Sequence, residues 1–182
     1  MRILTTSVSF AVLCALLGSG SATAHEQHAH VHGLAYLNLA IEGKSVSMEL
    51  TATAYDLVGF ERAARDDAER SRLTEVRKSL LHHATLWQFT VAAGCVAQPP
   101  VLQVPGADGH DHDHAEHDHG NHSDWQVSYR FECQNPQALR SITVSVFKQF
   151  PSLETIQVQL LTTAGASALT LQASNPRIAL TP

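Results

Sequence analysis

The stretch Leu34-Ala-Tyr-Leu-Asn-Leu-Ala-Ile-Glu-Gly-Lys-Ser-Val-Ser-Met-Glu-Leu-Thr-Ala-Thr-Ala54 decides the fold class. Val46, Met48, Leu50 and Ala52 alternate with Ser47, Glu49 and Thr51, and a period of two marks a strand with one buried face. Leu34, Tyr36 and Leu39 form an apolar run before Glu42-Gly43, a turn signal, so the two runs predict a hairpin. Trp125, Val127, Tyr129 and Phe131 alternate in the same way, as do Ile142, Val144 and Val146, and Ile156, Val158 and Leu160. Ala168 to Ala173 is expected to pair back across a turn at Thr163–Ser167. Leu86 to Ala92 and Val96 to Val104 predict short strands, the second broken by Pro99-Pro100.

From Phe60 to about Ala84 the period changes. Leu73, Val76 and Leu80 recur three and four apart, and Glu61–Arg65 and Asp66–Arg70 are spaced as i,i+4 pairs. This predicts an amphipathic helix. Arg62, Arg65, Arg70, Arg72, Arg77 and Lys78 lie on it, but Glu61, Asp66, Asp67, Glu69 and Glu75 are interleaved among them. That mixture describes a solvated face and not a nucleic-acid face. The net charge of −5 points the same way. The expected architecture is α+β: antiparallel sheet with one main amphipathic helix. A hydrophobic content of 44% with 16% charged residues excludes a disordered chain, a collagen and a coiled coil.

Residues 1–24 read as a secretory signal peptide. Arg2 is the positive lead, Ile3 to Leu17 the apolar stretch, and Ala22-Thr23-Ala24 a cleavage site. The apolar stretch is too short for an ordinary membrane span, so no stable membrane insertion is expected after cleavage. Cleavage would leave one domain, 25–182, exported to the periplasm. Cys14 leaves with the signal, and an exported chain with Cys95 and Cys133 is expected to join them in a disulfide.

Histidine is the compositional anomaly, with 12 residues against 12 for Lys and Arg together. His25, His28, His30 and His32 stand at the mature N-terminus, and His82 and His83 at the helix end. His110, His112, His114, His117, His119 and His122 lie in an insert, 105–123, with Asp111, Asp113, Glu116 and Asp118 between them. Neutral imidazole and carboxylate together suit borderline divalent cations, Zn²⁺ above all. The insert contains no apolar residue larger than Ala between 107 and 122, so it is expected to be a disordered loop with overlapping, exchangeable sites. It would hold about one to three ions at about four ligands each. If extended, His28, His30 and His32 share one side. Ligation needs neutral imidazole, so loading should fall as pH drops below about 6.

Catalytic signatures are missing. His25-Glu-Gln-His28 is one residue short of a zinc-protease H-E-x-x-H, and there is no G-x-S-x-G, P-loop or C-x-x-C. A non-enzymatic binding protein is expected. Met48 is the one methionine of the mature chain, which disfavours a thioether copper site.

Several segments, in order, carry a family likeness: His30-Val-His-Gly-Leu-Ala-Tyr-Leu-Asn-Leu-Ala40, Leu57-Val-Gly-Phe-Glu61, Cys95 and Cys133 flanking the His/Asp loop, Asn135-Pro136, Phe147-Lys-Gln-Phe-Pro151 and Ile156-Gln-Val-Gln159. Together they resemble the ZrgA-type periplasmic zinc-uptake proteins over nearly all of the mature chain. The resemblance implies capture of Zn²⁺ and its transfer to a zinc importer's periplasmic binding protein. It also shows a departure. Relatives often carry His-x-Pro after Gly-Phe-Glu, where this chain has Arg62-Ala-Ala64. The competing readings are a periplasmic zinc buffer or detoxification protein, and a copper-binding protein using the amine and imidazole of His25.

Overall fold

The computed structural model describes residues 31–104 and 124–180. The opening hairpin consists of β1 (Leu34–Glu42) and β2 (Ser45–Thr53), turning at Gly43, whose φ of 57° suits glycine. Its register sets Leu37 against Leu50, Leu39 against Met48 and Ile41 against Val46. That register sets the facing of β1. Ala35, Leu37 and Leu39 are buried, whereas Leu34 and Tyr36 lie on the outer face, because cross-strand partners must share a face.

A one-turn helix α1 (Ala54–Val58), not foreseen, follows β2 directly. Thr53 caps it by accepting from the Asp56 amide, and Gly59 closes it at φ 92°. The main helix α2 runs from Asp67 to Leu81, starting later than the expected Phe60. Asp66 is the reason: its carboxylate accepts from the Glu69 amide and fixes the first turn. The charge pairs also differ from the expected ones. Arg62 binds both oxygens of Glu69, at 2.7 and 2.6 Å, and Arg70 pairs with Asp67. Val76 and Leu80 are buried and Leu73 partly so, while the basic residues Arg70, Arg72, Arg77 and Lys78 remain exposed.

The segment expected as one strand from Leu86 divides into α3 (His83–Leu86), β3 (Trp87–Phe89) and a 3₁₀ turn, Val91–Ala93. Pro99-Pro100 separates β4 (Cys95–Ala97) from β5 (Val101–Gln103), and both pair with β6 (Asp124–Cys133). β7 (Ser141–Val144) stops before Val146, which starts the helical turn α4 (Val146–Gln149) in place of continuing the alternation. β8 (Thr155–Thr162) and β9 (Gly165–Gln172) form the second hairpin, and β10 (Arg177–Ala179) follows.

Among the described residues these strands make two sheets. The larger, of seven strands, runs β4–β6–β2–β1–β8–β9, with β5 also on β6; the smaller runs β10–β7–β3. All neighbours are antiparallel except β1 and β8, which lie parallel. The inner face of the large sheet supplies the core, with Leu37, Leu50, Val127, Tyr129 and Val158 at most 1% exposed. α2 and the small sheet cover that face. Tyr129 Oη donates to the Leu80 carbonyl at 2.8 Å, satisfying an oxygen the last turn of α2 leaves open. Trp87 meets Tyr129 edge to face at 5.4 Å, and Phe89 packs on Phe131 at 4.4 Å.

Candidate metal centre

His32 enters the described chain beside Gly33, and Gly33 is held on three sides. Its amide donates to Asp56 Oδ1 at 2.8 Å, and its carbonyl accepts from the amides of Glu154 and Thr155, both at 2.9 Å. A φ of 80° and Glu154 Cγ 3.4 Å from any added Cβ explain why glycine stands here. Asp56 is 3% exposed and accepts a second hydrogen bond, from Thr53 Oγ1 at 2.9 Å. A buried carboxylate is tolerated because donors meet both its oxygens.

Gly59 then turns the chain so that Phe60 and Glu61 come back toward His32. The imidazole lies parallel on the Tyr55 ring, centroids 4.2 Å apart at 15°. Its Nε2 is 3.5 Å from Glu61 Oε1, with the two side chains 53% and 36% exposed. Two segments of the family likeness, the His-Gly lead into β1 and Leu57–Glu61, therefore meet in space. Tyr55 and Asp56 were not singled out by sequence, and Glu61 was read only as a helical partner of Arg65 and as part of the family segment, not as a site residue. The signal was there in Leu57–Glu61, but nothing in the chain said which residue it faces.

Arg62, where the family likeness is broken, points elsewhere. Its guanidinium lies 5.2 Å over the Phe60 ring and clasps Glu69. The hydrogen bond from Arg62, joined by the Arg65 amide, draws the Glu69 carboxyl down to about 2. Arg62 thus fastens the approach to α2.

The His/Asp insert is anchored at the same pole. Its flanks are the end of β5 and the start of β6, and Asp124 is the register partner of Thr53. Thr53 bonds Asp56, which bonds Gly33. The feet of both histidine tracts are joined through these residues.

His82 and His83 are not brought there. His82 is the exposed joint between α2 and α3. His83 meets Phe131 edge-on at 5.8 Å and borders a cavity of about 330 Å³ with Trp87 and Phe89. Phe131 lies seven residues along β6 from Asp124, about 23 Å at strand rise. Cys95 and Cys133 form a disulfide between register partners of β4 and β6, toward that far end. His25, His28, His30, His110, Asp111, His112, Asp113, His114, Glu116, His117, Asp118, His119 and His122 lie outside the described residues. Among the described residues, no three His, Cys, Asp or Glu side chains gather as a metal cluster.

The family described as ZrgA family zinc uptake protein matches residues 29–180, and the chain belongs to it. It is a zinc uptake family and not an enzyme family. No curated protein matches the chain. Family and disulfide together suggest an extracytoplasmic protein, and no described helix is long and apolar enough to cross a membrane.

Proposed function

We propose that this protein, exported by cleavage after Ala24, captures Zn²⁺ in the periplasm and passes it to a zinc importer's binding protein. The observation that supports this reading is the common footing of the two histidine tracts, joined by Thr53, Asp56 and Gly33. Two ligand tracts tethered at one pole would each raise the effective concentration of ligands for the other. His110 to His122 with the intervening acids would collect ions. His25, His28, His30 and His32 would receive them. His82 and His83 lie away from this pole, and we assign them to packing and to the end of α2.

Calorimetric titration of the protein with Zn²⁺, beside a variant lacking 108–122, tests the reading. Lower stoichiometry with one tight site retained is the expected result. Absence of Zn²⁺ binding in the complete protein would overturn it. Deletion of the gene should impair growth when zinc is scarce; normal growth with unchanged zinc content would turn the reading toward a buffer.

A further inference from the structure

We infer that Glu61 is a zinc ligand and that, with His32, it forms an open half-site at the foot of the N-terminal tract. This deepens the function proposed above and rests on it.

The separation of the two atoms carries the inference. Nε2 and Oε1 stand 3.5 Å apart. A charge-assisted hydrogen bond between imidazolium and carboxylate would close to about 2.7–2.9 Å. Two donors on one tetrahedral Zn²⁺, with bonds of about 2.0–2.2 Å, stand about 3.3–3.5 Å apart. The pair, within ion-pair range, also stands close enough for both atoms to reach one Zn²⁺.

The ring also rests on a held backbone and against an aromatic neighbour. Gly33 is locked by Asp56, Glu154 and Thr155, and the imidazole plane is set by Tyr55. Such preorganisation lowers the entropy cost of ligation. Arg62, the cation next to Glu61, is committed to Glu69 and leaves the Glu61 carboxylate available to a metal. Both side chains are open to solvent, so the two remaining positions would be held by water or by exchangeable imidazole. A site that must release its ion is served by such an opening.

The test follows the His32 ring nitrogens by NMR while Zn²⁺ alone is added to the complete protein, Glu61→Gln and Glu61→Asp. Amide spectra establish that each variant is folded. The expected result is metal-type shifts at His32 Nε2. Glu61→Gln should raise the Zn²⁺ concentration for half-maximal shift about tenfold or more. Glu61→Asp should recover part of that loss, and the insert histidines should titrate unchanged in both. An unaltered His32 response in Glu61→Gln, or ligation through Nδ1, overturns the inference. Silence at His32 while the insert histidines respond overturns it too and leaves the proposed function standing. Silence at every histidine overturns both.

Discussion

Thr53 and Asp124 face each other at the last rung of the β2–β6 ladder, 71 residues apart in sequence. Through this rung the end of the His/Asp insert abuts the residue whose hydroxyl holds Asp56. Asp56 in turn holds the amide that follows His32. The arrangement has consequences that can be measured.

Asp56→Ala removes the acceptor of two buried hydrogen bonds and strands the Gly33 amide. We expect a loss of about 2–3 kcal/mol in urea denaturation. Asp56→Asn should cost less, since its carbonyl still serves Gly33. Equal losses in both variants would show that the Gly33 hydrogen bond contributes little.

Tyr129→Phe keeps the ring and deletes the hydroxyl that satisfies the Leu80 carbonyl. About 1–2 kcal/mol should be lost, with hydrogen exchange accelerated in the last turn of α2. Burial also holds the Tyr129 phenol well above its usual ionisation range. Absorbance titration of the folded protein should therefore leave this phenol un-ionised through the usual tyrosine range.

The Arg62–Glu69 pair sets a pH dependence at the acidic end. The Glu69 carboxyl is drawn to about 2 in the folded chain, below its ordinary value of 4.5. A depressed carboxyl favours the folded state above the ordinary value. That contribution fades as pH falls from 4.5 toward 2. Carbon-detected NMR titration should find the Glu69 midpoint near 2, and Arg62→Ala should return it toward 4.5. A midpoint unmoved by Arg62→Ala would assign the effect to the Arg65 amide alone.

Reduction of Cys95–Cys133, which spans 38 residues and encloses the insert, should cost about 3–4 kcal/mol on the chain-entropy account. Thermal unfolding with and without reductant measures it. Zn²⁺ binding should survive reduction at temperatures where the protein stays folded, because the disulfide lies toward the other end of β6 from Asp124.

The α+β class, both hairpins, the break at Pro99-Pro100 and the family likeness were legible in the residues themselves. Alternation in Val46–Ala52 and Trp125–Phe131 fixes which atoms seek the core, and that depends on local spacing alone. The disulfide was legible too, from an exported chain with two remaining cysteines. Helix limits were less so: Asp66 and Thr53 set them by side-chain hydrogen bonds, which override a smooth apolar period. Tertiary structure alone decided that β1 would lie parallel to β8, that Thr53 would meet Asp124, and that His32 would stand beside Glu61 while His83 turned to Phe131. Composition supplies the candidate ligands, because imidazole and carboxylate have their affinities wherever they stand. Which of them meet depends on strand pairing between residues far apart in the chain, and only the folded sheet sets that.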